Sequence, residues 1–306
     1  MNKYLIFRTD RIGDFIFSRM ITDAIKKQNP SNIIDFVCST YNAQYIKNYF
    51  VINSEKYDYL IVLDGKRRSV FFSLFINAKY KIAVLKDWRP FLLLKFFFNK
   101  YLINSEVKSQ YNNFITLANY LDLKISQKID YYKSYNFKKK NIISNQSNFL
   151  LLHLDEKWFE GFYYNDFNYM NLNYKNFYLL INTLFKKFNK SIIITSGHVK
   201  IPILNQILNK HFKKKNNDLF ESIRFRKKLV FIDNTDFQDL ELIIKKSSIV
   251  VCCEGAISHV SHAMNKKTYA LINGLLTAKF WTSHMQNIKL LKREPIQKIC
   301  KQINNL

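Results

Sequence analysis

Short apolar segments alternate along the chain with longer segments of helical spacing, and this alternation limits the possible fold more than any other feature. The apolar segments are rich in β-branched residues, as expected of strands buried on both faces. Helices between successive strands predict βαβ units and a parallel sheet. The predicted strands are residues 4–7, 33–37, 59–63, 81–84, 149–152, 191–195, 229–232, 248–253 and 268–272. The predicted helices include residues 15–27, 41–50, 70–77, 174–188, 203–213, 237–246 and 295–303.

The predicted strands form two series, separated by a segment that has neither helical nor strand spacing. This segment, residues 124–148, is rich in Lys, Asn, Ser and Tyr. With 306 residues, the chain is long enough for two domains of ordinary size. We therefore predict an α/β protein with two Rossmann-like domains, residues 1–146 and 147–306, that face each other across a cleft.

The junction after the predicted strand 248–253 carries a carboxylate, a glycine and a histidine. The strand ends at Glu254 and Gly255, and a helical pattern that includes His259 begins directly afterwards. Ligands of open α/β sheets bind at the carboxyl ends of strands, and a helix N-terminus attracts anions. This junction is therefore a candidate phosphate-binding site.

Glycine is scarce in the chain, so the positions that keep it are informative. The chain has 6 glycines, against roughly 21 at average usage. Five of them follow predicted strands, namely Gly13, Gly65, Gly197, Gly255 and Gly274. We expect these glycines to lie where a Cβ atom would not fit, beside a ligand.

Other polar residues also follow predicted strands. His153, His198 and His259 do so, which suggests one shared ligand surface, and Asn273 follows a further strand. The histidines are far apart and have no carboxylate at ligand spacing, so no metal site is predicted. Lys157 could neutralise a phosphate, or it could be one more solvated lysine of a lysine-rich chain.

The net charge of +25, from 48 basic and 23 acidic residues, favours anionic partners. Nucleic acid, a phosphorylated substrate and an anionic membrane face all fit that charge. The basic residues are dispersed over the whole chain instead of forming one stripe, which argues against nucleic acid. An A/T-rich genome would also raise the lysine content without a functional cause.

Cysteine usage and hydropathy bear on the compartment. The 4 cysteines include no Cys-x-x-Cys pair, which favours a reducing, cytosolic environment. The apolar start of the chain is too short for a signal peptide. The most apolar run, residues 91–98, is much shorter than the ~20 residues that span a bilayer. We predict a cytoplasmic protein, and peripheral contact with the anionic inner face of the membrane stays open.

The loop after the first predicted strand contains Arg11, Gly13 and Asp14 at the start of a helix. Its single glycine does not match Gly-x-Gly-x-x-Gly, so a classical NAD or FAD turn is not expected. Asp14 could cap the helix, a role that aspartate fills well, or it could take part in chemistry. The spacing alone leaves both interpretations open.

Two segments resemble glycosyltransferase family nine, the ADP-heptose:lipopolysaccharide heptosyltransferase-like group. Residues 7–15 of this chain are Phe-Arg-Thr-Asp-Arg-Ile-Gly-Asp-Phe. At the matching positions the family carries an arginine and then Gly-Asp at the start of the first helix. In residues 254–263 the family typically has Asp-Thr-Gly-x-x-His-Leu-Ala-x-Ala, and this chain has Glu-Gly-Ala-Ile-Ser-His-Val-Ser-His-Ala. The segments lie near opposite ends of the chain, so the resemblance spans nearly all of it.

The resemblance implies a GT-B fold and an inverting glycosyltransferase. Such an enzyme moves a sugar from a nucleotide-diphosphate donor to a lipopolysaccharide or cell-surface polysaccharide acceptor, and it needs no metal or further cofactor. The resemblance also implies that Asp14 is the general base and that Lys157 lies near the donor diphosphate. Glu254, Ala256 and His259 match the donor-binding residues of the family.

This chain departs from the family pattern on the donor side. Glu254 stands where the family has aspartate, and Gly255 comes one position before the family's glycine. After the following strand, Asn273-Gly274-Leu275 replaces the family's Gly-Pro-Thr. The resemblance therefore implies a donor sugar that is heptose or another hexose-type sugar, and these departures argue against ADP-heptose in particular. Two alternatives stay open: a non-catalytic relative that binds a nucleotide sugar or saccharide, and a nucleic-acid-binding protein.

Overall fold

A computed structural model describes residues 1–40, 56–85, 96–103, 109–126, 147–159, 170, 172–216 and 218–306. The chain divides into two compact units. The N-terminal unit is Met1–Asn136 with Lys279–Met285, and the C-terminal unit is Phe137–Ala278 with Gln286–Leu306. The predicted helix 41–50 and most of the segment 124–148 lie outside the described residues. The predicted boundary between residues 146 and 147 borders that range and stays a prediction.

The N-terminal unit has a five-stranded sheet of order β2-β1-β3-β4-β5, in which all neighbouring strands are parallel. Its strands are β1 (Lys3–Arg8), β2 (Ile33–Cys38), β3 (Tyr57–Val62), β4 (Ala78–Leu85) and β5 (Lys100–Ile103). Its helices include α1 (Ile12–Gln28), α2 (Arg67–Leu74) and α3 (Gln110–Asn119). Leu5, Leu60 and Val62 belong to its buried core, so the apolar runs of the sequence do form the interior.

The C-terminal unit has an eight-stranded sheet of order β13-β12-β11-β6-β7-β10-β9-β8. The pairs from β13 to β10 are parallel, and the last two pairs are antiparallel. The strands are β6 (Leu150–Leu154), β7 (Ile192–Ser196), β8 (Phe212–Lys214), β9 (Leu219–Ser222), β10 (Arg226–Ile232), β11 (Ile249–Cys253), β12 (Lys267–Ile272) and β13 (Ile288–Lys292). The helices include α4 (Tyr174–Phe188), α5 (Pro202–His211), α6 (Phe237–Lys246), α7 (Ala256–Ala263) and α9 (Ile296–Asn304). A further helix, α8 (Leu275–Thr282), begins in this unit and ends in the segment Lys279–Met285 of the N-terminal unit.

Two helices with side-chain caps, α4 and α6, have the bounds predicted from the sequence. The side chain of Asn173 accepts hydrogen bonds from two backbone N–H groups at the start of α4, and Asn189 ends that helix in the left-handed conformation. Asp236 caps α6 through the N–H of Asp239, at 2.7 Å. These bonds satisfy backbone groups that have no partner within the helix. Residues at the helix ends therefore determine where each helix begins and stops.

One short segment of the second half of the chain belongs to the N-terminal unit. In Lys279–Met285, the rings of Trp281 and His284 pack edge-on against Phe17, with centroid distances of 6.0 and 5.1 Å. The ring of His284 also stacks on Tyr111 at 5.3 Å. The domain division predicted from the sequence, residues 1–146 and 147–306, did not place Lys279–Met285 in the N-terminal unit.

Candidate functional site

Lys157 and Glu254, which are 97 positions apart in the sequence, meet at the carboxyl ends of β6 and β11. These two strands are parallel neighbours in the large sheet. After β6, the side chain of Asp155 caps a turn of 3-10 helix, Glu156–Trp158. Trp158 is buried in the core and anchors this turn. The Nζ atom of Lys157 then donates a hydrogen bond of 2.5 Å to the backbone carbonyl of Glu254, directly after β11.

Gly255 has a backbone conformation that other residues rarely adopt. Its φ is 154° and its ψ is −149°, a region occupied almost only by glycine. A Cβ atom at this position would lie 2.7 Å from Nζ of Lys157. A side chain at Gly255 would therefore require a strained backbone and a movement of the flexible Lys157 side chain.

Ser258 holds the turn that starts α7. Its hydroxyl accepts from the N–H of Gly255 at 3.1 Å and donates to the carbonyl of Gly255 at 2.7 Å. The first N–H groups of a helix have no partner within the helix, and they give its N-terminus a partial positive charge. Beside α7 this partial charge is joined by the ammonium of Lys157, an arrangement that suits a phosphate.

A second cation, Arg293, lies just beyond β13 and was not predicted as a site residue. Arg293 is 4% exposed, and its N–H donates to the carbonyl of Ile272 at 2.8 Å. Burial raises the pKa of Asp155, whereas the charges of Lys157 and Arg293 lower it. Both cations therefore act on the same carboxyl group at this end of the sheet. β13 was not recognised in the sequence, so nothing marked Arg293 as a residue that follows a strand.

The three histidines have different surroundings. His153 is a buried residue within β6, not a residue after it as predicted, and its Nδ1 lies 2.9 Å from the hydroxyl of Thr195. His259 is buried within the first turns of α7. His198 is exposed in the loop after β7, with its Nδ1 2.7 Å from Oδ1 of Asn234.

The burial of His153 makes the stability of the fold depend on pH. Burial lowers the pKa of the His153 ring from 6.5 to about 4. Between these two values the unfolded chain takes up a proton that the folded chain does not, so folding weakens as the pH falls. From this group we expect the free energy of unfolding to fall by roughly 2 kcal/mol between about pH 7 and about pH 5.

Urea unfolding of the wild type and of His153→Asn at the two pH values measures this contribution. The asparagine amide can still bond to Thr195 but does not titrate. We expect the variant to lose roughly 2 kcal/mol less than the wild type on acidification. Equal losses in both proteins would show that His153 does not carry the effect.

Two of the other predicted glycines do not need to be glycine for steric reasons. A Cβ atom on Gly197 would meet nothing within 4 Å, and one on Gly274 would be 3.8 Å from the hydroxyl of Thr277. For these two positions the expectation was wrong. Gly274 and Asn273 are exposed after β12.

Arg8 organises the loop after β1 in the N-terminal unit. Its side chain is 2% exposed, and it donates from Nε to the carbonyl of Asp14 at 3.1 Å and from Nη1 to the carbonyl of Leu63 at 2.7 Å. Its Nη2 lies 3.5 Å from Oδ1 of Asp14. A buried guanidinium needs such partners. Arg8 was not predicted as a site residue, although it is the last residue of the apolar strand β1.

A second set of contacts fixes the same loop from β3. The N–H and hydroxyl of Thr9 donate to Oδ2 of Asp64 at 3.1 and 2.6 Å. Nζ of Lys66 lies 3.0 Å from Oδ1 of Asp10. Burial raises the pKa of Asp10, and the charge of Arg8 opposes that shift. The loop is thus held from both sides by buried or half-buried charges.

Asp14 is not the N-terminal cap of α1. The cap position belongs to Arg11, an exposed residue with no side-chain cap bond, and Gly13 and Asp14 lie within the first turn. The side chain of Asp14 is 24% exposed and forms an ion pair with Arg8. The capping interpretation is therefore wrong, and the carboxylate is accessible to solvent.

Among the described residues, no three His, Cys, Asp or Glu side chains come together in a way that could hold a metal ion. None of the described helices has the length and apolar character needed to cross a membrane.

Comparison with solved structures identifies the fold. "E. coli heptosyltransferase WaaC with ADP" is similar to this chain with a TM-score of 0.65 and 13% identity, over 99% of this chain and 97% of the other. The family 9 glycosyl transferase from Veillonella parvula has a TM-score of 0.64 and 12% identity, over 98% and 91%. This chain has the GT-B fold. Its fold class, predicted as α/β and GT-B, is confirmed.

The same fold also occurs in a protein named for a different reaction. UDP-GlcNAc 2-epimerase from Methanocaldococcus jannaschii has a TM-score of 0.55 and 14% identity, over 99% of this chain and 92% of that chain. No protein-family model matches this sequence, and no curated protein matches it either.

Proposed function

We propose that this protein is a cytoplasmic, inverting glycosyltransferase of the heptosyltransferase-like group. Its donor is a nucleotide-diphosphate sugar that carries heptose or another hexose-type sugar. Its acceptor is a lipid-linked saccharide of lipopolysaccharide or cell-surface polysaccharide assembly. The reaction requires neither a metal nor a further cofactor.

The contact between Lys157 and the Gly255 turn carries this proposal. It joins a cation, a glycine with restricted φ and a helix N-terminus at the carboxyl end of a parallel sheet. These features together suit a diphosphate. The GT-B fold and the resemblance of residues 254–263 to a transferase family favour a nucleotide-sugar diphosphate over a free phosphate.

On the donor side, the proposed chemistry is the departure of a nucleoside diphosphate. Negative charge develops on that group as its bond to the anomeric carbon breaks. The ammonium of Lys157 and the first N–H groups of α7 would stabilise this charge, and His259 would add a contact from the same helix. Because the protein supplies the positive charge itself, a metal ion has no necessary part.

On the acceptor side, the proposed general base is Asp14. An acceptor hydroxyl must lose its proton as its oxygen attacks the anomeric carbon, and a carboxylate can take up that proton. Attack on the face opposite to the leaving diphosphate inverts the configuration. Arg8 holds both the backbone and the carboxylate of Asp14, which would keep the base in a fixed position.

A screen of nucleotide sugars with ADP, UDP, GDP and CMP carriers tests the proposal. The proposed transferase is expected to be stabilised against heat by at least one of the ADP, UDP or GDP sugars and then to release the nucleoside diphosphate when a saccharide acceptor is added. A CMP sugar would release only a nucleoside monophosphate and serves as the control. Stabilisation without turnover would favour the non-catalytic relative. Isomerisation of the free nucleotide sugar would indicate an epimerase, and a response to oligonucleotides alone would support a nucleic-acid-binding protein.

Lys157→Met tests the proposed donor contact. A hydrogen bond to a charged group contributes about 1.5–3 kcal/mol, so we expect the affinity for the nucleoside diphosphate to fall about tenfold to 150-fold. Titration calorimetry measures that affinity. Lys213→Met, on the exposed edge strand β8, serves as the control and should bind like the wild type. Equal affinity in both variants would place the diphosphate elsewhere.

A further inference from the structure

Helix α2 of the N-terminal unit has apolar side chains on two sides, one that packs against the core and one that is exposed. Phe71, Phe72 and Phe75, at its end, are 56%, 61% and 74% exposed. Ser69, Val70 and Ser73 are buried, and Val70 and Leu74 pack against the core of the unit. A helix on the surface of a protein normally has one apolar stripe, which faces the core. α2 has a second, exposed stripe, and that stripe calls for a partner outside the unit.

The exposed residues of α2 form one continuous stripe. Arg67, Phe71 and Phe75 are spaced four residues apart, and Arg68 and Phe72 repeat that spacing beside them, so all five lie on one side of the helix. The Phe71 ring packs edge-on against Phe75 and Phe72, with centroid distances of 5.2 and 6.0 Å. We call these five residues the α2 aromatic face.

Hydrogen bonds on the opposite side keep the α2 aromatic face turned outward. The hydroxyl of Ser69 donates to Oδ2 of Asp64 at 2.7 Å, and Nζ of Lys81 in β4 donates to the carbonyls of Ser73 and Leu74 at 3.2 and 3.0 Å. Asp64 also holds the loop after β1 through Thr9. Rotating the helix to hide the phenylalanines would break these contacts.

The charge around this face selects its partner. Arg67 and Arg68 are exposed at its start and Lys79 lies just beyond its end, and the sequence from Lys66 to Lys81 contains no aspartate or glutamate. A second copy of the chain would bring two such basic surfaces together, which like charges oppose. An anionic lipid surface supplies both phosphates for the cations and an interfacial layer for the aromatic rings.

We propose that the α2 aromatic face docks this protein onto an anionic lipid surface, with the phenylalanine rings inserted among the headgroups. The docking needs no donor or acceptor and so does not depend on the proposed transfer reaction. If that reaction is correct, the docking would bring the enzyme to its lipid-linked acceptor.

Co-sedimentation with vesicles tests this proposal. We expect the wild type to bind vesicles of equal parts phosphatidylcholine and phosphatidylglycerol, to bind pure phosphatidylcholine at least about tenfold more weakly, and to lose binding as salt is raised. The combined variant Phe71→Ser, Phe72→Ser, Phe75→Ser should weaken binding by at least about tenfold. Arg67→Ser with Arg68→Ser should weaken it and reduce its salt dependence.

The control is Leu179→Ser with Ile223→Ser, which removes apolar residues of the other unit that are 40% and 52% exposed. It should bind vesicles like the wild type. Thermal unfolding of each variant checks that the fold is kept. Unchanged vesicle binding by the phenylalanine variant overturns the proposal. The proposal is also overturned if the wild type does not bind vesicles but forms a dimer, seen by sedimentation, that the phenylalanine variant abolishes. The α2 aromatic face would then join two copies of the chain.

Discussion

Asp14→Asn is expected to slow sugar transfer by about 10²- to 10⁴-fold, the usual contribution of a general base. Asparagine has nearly the same shape as aspartate but cannot take up the proton of an acceptor hydroxyl. The backbone carbonyl of residue 14 would still accept from Arg8 and from the hydroxyl of Ser18, at 3.1 and 2.8 Å in the wild type. We therefore expect the loop to keep its structure and the affinity for the nucleoside diphosphate to stay the same.

Release of nucleoside diphosphate under acceptor saturation measures this effect, and calorimetry measures the affinity. The matched control is Asp23→Asn, because Asp23 lies on the same helix and pairs with a buried arginine, Arg19, at 3.5 Å. The control should turn over like the wild type. If Asp14→Asn turns over like the wild type, Asp14 is not the general base. That result would not bear on the proposed donor site.

Gly255→Ala is expected to have the second large effect, on both stability and donor affinity. Alanine would have to adopt a backbone conformation that costs about 1–3 kcal/mol outside glycine. Its Cβ atom would also displace the ammonium of Lys157 from the carbonyl of Glu254. Because Lys157 is flexible, we expect the protein to fold but to bind nucleoside diphosphate at least about tenfold more weakly.

Gly197→Ala is the matched control for this variant. Gly197 also follows a strand of the large sheet, but a Cβ atom there would meet nothing within 4 Å. Urea unfolding and calorimetry on both variants separate the two cases. If Gly255→Ala binds and unfolds like Gly197→Ala, the turn at Gly255 tolerates a side chain and the proposed diphosphate contact loses its steric basis.

The sequence predicted the parts of the fold that are encoded locally. Apolar runs became the central strands of both sheets, and capped helices such as α4 and α6 have the predicted bounds. The short edge strand β5 and the hairpin-like pair β8 and β9 were missed. Strands of three or four residues such as Lys100–Ile103 and Phe212–Lys214 are too short to show a period, and pairing with a neighbour in the sheet defines them.

Only those residues of the candidate site that follow a recognisable strand were predicted from the sequence. Gly255 and Lys157 were found because β11 and β6 are long apolar runs, and the parallel sheet brings their ends together. Arg8 and Arg293 were missed, since nothing in a sequence shows that an arginine is buried. His153 was assigned to a loop because a polar residue seemed to end β6, whereas a bond to Thr195 keeps its ring inside the sheet.

The central claim is that a nucleoside diphosphate binds between Lys157 and the start of α7. Hydrogen exchange with and without a saturating nucleoside diphosphate, followed by mass spectrometry, tests it directly. We predict slower exchange in peptides that cover Glu156–Trp158 and the first turn of α7, and little change in the antiparallel strands β8 and β9. Protection confined to other strands, or none in the presence of a nucleotide that raises the melting temperature, would contradict the claim.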